Sequence, residues 1–215
     1  MKQIIKFLAI CLPVAACSRM DESSPQGEYS LTQQVQETNT LIPSRADASF
    51  NGMFTKMGAP GSVTGGSRPD DFGFVMMAFS NDIEGADVVL ANSGYNWFSS
   101  CGNLTSRNAD YANPYIRYAA PYNTIASANA IINSYPSDTQ EMEIRHKLAQ
   151  ARAVRAFAYL NLVPYFQFGY AAGGEDKPCV PIVTEKTTDF TNNPRASVAE
   201  VYSLIIEDLT YAIGN

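Results

Sequence analysis

Side chains able to do chemistry are sparse in this chain, and their spacing excludes more than it allows. His146 is the only histidine, and it stands among Glu143, Arg145 and Lys147 on a charged face. One histidine without a neighbouring cysteine cluster cannot build an ordinary zinc site. The Gly-x-Ser-x-Gly turn that exposes a serine nucleophile is absent. Asp82, Glu84 and Asp87 lie close together, and paired carboxylates do cleave glycosidic bonds. Acids grouped this way are also commonplace at helix ends, and the spacing of a calcium-binding EF-hand is missing. The expectation is a protein that is no enzyme and needs no cofactor or metal. Binding chemistry is better represented. The stretch "SGYNWFSSCGN" places Tyr95, Asn96, Trp97 and Phe98 in one loop with Asn103 close behind. Aromatic planes suit the apolar face of a pyranose, and amides suit its hydroxyls. Trp97, the only tryptophan, either stacks on a ligand or anchors its loop to the core.

Cys17 poses a different question. Lys2 and Lys6 precede an apolar run from Phe7 to Ala16, far short of the ~20 residues that span a bilayer as a helix. That layout is a secretory signal. Val14-Ala15-Ala16-Cys17 resembles a bacterial lipobox, which implies cleavage before Cys17 and acylation of its sulfur and new amine. Each buried methylene contributes about 0.8 kcal/mol, and two or more chains hold firmly where one does not. The expected organisation is a signal over residues 1–16, a lipidated tether over 17–40 and a folded part over 41–215. The tether is rich in Ser, Gln, Thr and Glu. Asp21 and Glu22 resemble the acidic export signal of some Gram-negative surface lipoproteins. Processing leaves Cys101 and Cys179, as a disulfide or as buried free thiols.

The bulk composition fits a single core. Of 215 residues, 46% are hydrophobic and 17% charged, which is globular. A net charge of −6 with no basic run argues against nucleic acid as a partner. Helical periodicity dominates. Ser44 is the expected cap of a first helix bearing Phe50, Met53, Phe54 and Met57. Gly58 to Ser67 lacks the Gly-Lys-Ser/Thr ending of a phosphate loop and reads as a connector. Asp70 and Asp71 would start a second helix, with Phe72, Val75, Met76, Phe79 and Ile83 as its core stripe. Asn113-Pro114 would cap a third, carrying Tyr118, Tyr122, Ile125, Asn129 and Ile132, with Pro121 as a kink. Arg117 is the only charge between Asp110 and Asp138. A helix so poor in charge is buried on most sides, and Asn129 must find partners there. Asp138 and Glu141 look like a capping box for the next helix, whose alanines permit close approach and which Pro164 would end or bend. Cys179–Glu185 reads as extended. Ser197 and Glu200 form a capping box before a stripe of Val198, Tyr202, Ile205, Leu209 and Ala212. The predicted fold class is all-α, an array of tetratricopeptide-like hairpins with long irregular loops and few short strands.

Four motifs carry a resemblance. They are "YNTIASANAII" (Tyr122, Ile125, Ala128, Asn129), "RAFAYLNL" (Arg155, Ala156, Phe157, Tyr159, Leu162), "CVPIVTE" (Pro181, Val183, Thr184, Glu185) and "SVAEVYSLIIEDL" (Val198, Val201, Tyr202, Ile205, Asp208, Leu209). In this order, behind a lipobox, they resemble the SusD/RagB family of outer-membrane nutrient-binding lipoproteins. Cys179 stands where that family usually has Gly, and Pro164 interrupts a helix that usually continues. The resemblance reaches only the family's N-terminal part, so the chain reads as truncated. It implies a helical scaffold at the outer membrane facing outward, which captures glycans or peptides for a TonB-dependent, SusC-like transporter and does no covalent chemistry. The alternative of equal fold is a helical scaffold lipoprotein that binds proteins and no glycan.

Overall fold

A computed structural model describes residues 37–38, 41–66, 68–91 and 97–215. The chain divides into two compact units, Met1–Leu41 and Ile42–Asn215. In the first, Glu37, Thr38 and Leu41 are described, all helical; Cys17, the signal and nearly all of the tether lie outside the described residues. Among its described residues the second unit holds six helices and one small hairpin: α1 (Pro43–Lys56), α2 (Gly73–Glu84), α3 (Ser99–Gly102), α4 (Ala112–Asn133), α5 (Met142–Phe166), a 3₁₀ turn (Tyr170–Ala172), β1 (Pro178–Pro181), β2 (Arg195–Ser197) and α6 (Val198–Gly214). The expected all-α architecture is borne out. β1 and β2 pair antiparallel, Pro178 opposite Ser197 and Pro181 opposite Arg195.

α4 is the spine. It contributes Ile125 to a main cluster with Tyr159, Leu162, Val180, Val201 and Ile205. It contributes Ala128, Ile131 and Ile132 to a second cluster with Met53 and Val154. Ile116 and Ala120 join Met76 in a third, against which Phe98 packs. Each large side chain so buried is worth roughly 1.5–3 kcal/mol. Ala149, Ala151, Ala156 and Ala158 of α5 are buried, and their small size lets α4 and α6 pack closely on this helix. The helix runs unbroken through Pro164 to Phe166, and α4 runs unbroken through Pro121.

Several expected helix starts fall elsewhere. Ile42, not Ser44, takes the cap of α1, and Pro43 occupies the first turn, where a missing N–H costs nothing. Tyr111 caps α4, and Asn113 sits inside the helix, buried. Glu141 caps α5 without a side-chain hydrogen bond. Asp70 and Asp71 do not lead α2, which starts at Gly73 behind Phe72. Gly73 has φ +55°, and a Cβ there would collide with the Met57 carbonyl. That close approach lets Phe74 N–H donate to Met57 O (2.9 Å) and ties α2 to the end of α1. The core stripe of α2 is rotated from expectation: Gly73, Met76, Met77, Ser80 and Ile83 are buried, while Val75 is 65% and Phe79 43% exposed. Phe54 of α1 also stays outside, edge-on to Phe50 at 5.3 Å. On α6 the Ser197–Glu200 capping box forms as read. The buried line then runs Val198, Val201, Ile205 and Asp208, with Leu209 outside.

Candidate functional site

Two aspartates that looked like helix leaders instead shape the loop before α2. Asp71 Oδ2 accepts from Val63 N (3.2 Å), Thr64 N (2.7 Å) and Thr64 Oγ1 (2.7 Å). Asp70 takes two hydrogen bonds from Arg68, from Nε (2.9 Å) and Nη2 (2.8 Å). The Arg68 guanidinium, held flat in this way, stands 4.8 Å from the centre of the Trp97 ring. Trp97 is half-buried. Phe98, its neighbour, meets Phe79 edge-on at 5.0 Å and leans on the α2–α4 core. Asn103 is exposed and closes the short helix α3, its N–H donating to Ser99 O (2.9 Å). Tyr95 and Asn96 lie outside the described residues. Of the five aromatic-loop residues expected to meet ligand, Trp97 and Phe98 are thus brought against α2 and its leading loop, and Asn103 faces solvent.

None of these three lines a cavity found among the described residues. That space, about 870 Å³, lies between α2, α4, the end of α5 and the loop after α3, within the size range of small-ligand sites. Its wall carries Asn81, Glu84, Ser106, Arg107, Arg117 and Tyr165. Arg117 forks onto Glu84: Nη1 donates to Oε2 (3.0 Å) and Nη2 to Oε1 (2.6 Å). The Ser106 hydroxyl donates to the same carboxylate. Burial alone would push the Glu84 carboxyl up, but the bonds from Arg117 and Ser106 outweigh it and hold it below the usual range. The Tyr165 hydroxyl donates to Asn81 Oδ1 (2.6 Å), and its ring lies 4.8 Å from the Arg117 guanidinium. Burial pushes the Tyr165 phenol up. Arg117 is only 6% exposed, and its Nε is buried with no acceptor. Amides of Asn161 and Gln167 and the ring of Phe168, 71% exposed, complete the rim. The arrangement offers donors, acceptors and aromatic edges. Among the described residues, no three His, Cys, Asp or Glu side chains are grouped to hold a metal. The sequence carried two signals for this cavity: Arg117, the lone charge on a charge-poor helix, and Glu84, one of three grouped acids. Asn81 and Tyr165 sit in ordinary amphipathic runs, and nothing marks them.

The recognised motifs converge somewhere else. Arg155, 2% exposed, donates from Nε to Asp208 Oδ2 (2.7 Å) and from Nη2 to Asp208 Oδ1 (2.8 Å). Its Nη1 donates to Asn129 Oδ1 (2.8 Å) and to Glu185 Oε2 (2.6 Å). Asn129 Nδ2 in turn donates to Val183 O (3.1 Å), which answers the requirement that this residue find buried partners. The Tyr159 hydroxyl lies between Val183 N (2.7 Å) and Val183 O (3.1 Å), and burial pushes its phenol up to about 12. Tyr122 donates to Pro181 O (2.6 Å). One buried knot therefore joins α4, α5, α6 and the segment after β1. Each of the four motifs supplies a part of it, so these residues tie the scaffold together. Cys101 and Cys179 are both buried free thiols.

Among the described residues no helix is long and apolar enough to cross a membrane. Solved structures share the fold. A SusD-like carbohydrate binding protein from Bacteroides vulgatus aligns with a TM-score of 0.66 at 24% identity, over 80% of this chain and 35% of that one. A SusD superfamily protein from Bacteroides fragilis gives 0.58 at 23%, over 78% and 38%. Another from Bacteroides thetaiotaomicron gives 0.56 at 19%, over 80% and 36%. The chain thus spans little more than a third of each of these structures. No curated protein matches it. A family model, SusD-like, described as starch-binding and associating with the outer membrane, matches residues 75–214. That match takes in α2 to α6, the cavity wall and the whole Arg155 knot, and the chain accordingly belongs to the SusD-like family.

Proposed function

We propose that this chain is the scaffold-forming part of a lipid-anchored outer-membrane protein that captures glycans at the cell surface, passes them to a TonB-dependent transporter and breaks no bonds. The observation that carries the reading is the family match over residues 75–214, to a family described as starch-binding and associated with the outer membrane. The Val14-Ala15-Ala16-Cys17 tetrad supports the anchor, with Cys17 as the acylated residue. The aromatic loop supports capture. Arg68, splinted by Asp70, covers one face of Trp97, an arrangement that stiffens the ring for stacking on a sugar with its opposite face. Phe98 and Asn103 are the neighbouring ligand-binding candidates among the described residues, and Tyr95 and Asn96 are proposed from the sequence alone.

Affinity purification of the tagged chain from native membranes is expected to recover a TonB-dependent transporter. An eluate without one overturns the delivery role. A glycan array probed with the same material reads capture directly. Trp97→Ala is expected to fold normally and to bind its glycan about tenfold more weakly, the loss of one stacking contact. Unchanged binding removes Trp97 from the site.

A further inference from the structure

The cavity behind α2 carries a charge balance opposite to that of the protein. The chain as a whole has a net charge of −6. Among the described residues, the cavity wall has one carboxylate, Glu84, against two guanidinium groups, Arg107 and Arg117. Glu84 is taken by Arg117 and Ser106. Arg107 is exposed on the rim and, among the described residues, makes no hydrogen bond or ion pair. Arg117 adds a buried Nε with no acceptor. Buried donors of this kind are ordinarily satisfied, by protein, water or ligand. The uncommitted cation at the mouth calls for an acceptor bearing negative charge, and the unmatched Nε–H of Arg117 leaves the wall one donor in excess. The remaining wall groups, the amides of Asn161 and Gln167 and the rings of Tyr165 and Phe168, suit a hydroxylated ring.

We propose that this cavity is a subsite for an acidic sugar, a uronic acid residue whose carboxylate pairs with Arg107 while its hydroxyls engage the Arg117–Glu84 wall. The inference rests on the glycan-capture reading and adds the charge class of the ligand. Among the described residues, Trp97, Phe98 and Asn103 do not line this cavity. Guanidinium groups match carboxylates with two parallel hydrogen bonds, and a half-exposed pair of this kind weakens as salt rises.

Calorimetry of the whole chain with trigalacturonate and with galactotriose, at low and high salt, tests it. Trigalacturonate is expected to bind about tenfold more tightly, the worth of one charge-assisted pair, with the preference shrinking in high salt. Arg107→Ala is expected to abolish the preference for trigalacturonate over galactotriose, and Arg107→Lys to restore part of it. Equal affinity for the two sugars, or a preference untouched by Arg107→Ala, overturns the acidic-sugar subsite and leaves glycan capture standing. Binding of neither sugar, together with a blank glycan array, overturns both. Binding of triglutamate through Arg107 without binding of trigalacturonate reassigns the cavity to acidic peptides and overturns the sugar.

Discussion

Two guanidinium groups make the same first contact and then part ways. Arg155 and Arg117 each fork onto a carboxylate, Asp208 and Glu84 respectively. Arg155 goes on to spend its third nitrogen on Asn129 and Glu185, and the Asp208 side chain beneath it is wholly buried. Arg117 leaves its third nitrogen without an acceptor, and its carboxylate partner is 22% exposed beside a cavity. A fully satisfied buried network has one arrangement and resists change. A partly satisfied one beside open space retains capacity for something that arrives from outside. The contrast separates scaffold from site within one helical domain, although both networks are built from the same residue types.

The comparison can be broken most severely at the closed knot. Arg155→Met leaves buried Asp208 only the longer contact to Arg152 (3.7 Å) and removes the Arg155 bonds to Glu185 and Asn129. Loss of one partner of a buried pair costs about 3–5 kcal/mol, which for a domain of this size lowers Tm by on the order of 10 °C. Thermal unfolding by circular dichroism checks it. The double variant Arg155→Met/Asp208→Leu is expected to recover a large part of the loss, because it removes the orphaned charge as well. If the single change is mild, the knot is not what holds α5 to α6.

The same substitution at the open network should cost less. In Arg117→Met, Glu84 can turn toward cavity water, so a loss of about 1–2 kcal/mol is expected, read from urea midpoints. A cost equal to that of Arg155→Met would show that the two networks are alike after all.

The smallest effect is in the acid limb. Burial would raise the carboxyls of Glu84 and Glu185, but hydrogen bonds from Arg117 and Ser106 to the first and from Arg155 to the second leave both below their usual range. The unfolded chain then binds protons first as pH falls. Stability is full above the ordinary carboxylate range, about pH 4.3 for Glu, and is lost as pH drops through the folded values. Glu84→Gln should flatten part of that slope and Glu185→Gln more of it, since Glu185 serves the deeper knot. Urea titrations from pH 7 to 3 resolve the order.

The closed knot was far more legible than the open one. Arg155, Asp208, Asn129 and Glu185 lie in the four motifs that resemble those of the SusD/RagB family, and the need for Asn129 to find partners followed from its place on an apolar stripe. The Ser197–Glu200 cap could be read because both of its halves are local. The rotated stripe of α2 could not. Phe72, Val75 and Phe79 have helical spacing and apolar side chains, but the tie between Gly73 and Met57 fixes the helix with its methionine face inward. Asp70 and Asp71 misled for a similar reason: dipole logic operates within a helix, whereas the Asp71 partners lie seven and eight positions back in a glycine-rich turn. The cavity joins side chains more than eighty positions apart, such as Asn81 and Tyr165, and no local pattern reports such a meeting.

The place of α4 in all three apolar clusters has a consequence for how the molecule opens. Detaching α1 frees only the Met53 side of it, and detaching α2 only the Met76 side, so either end can fray while its middle stays clamped. Backbone amides around Ile125 should therefore be the last to trade hydrogen for deuterium, exchanging only when the whole domain comes apart.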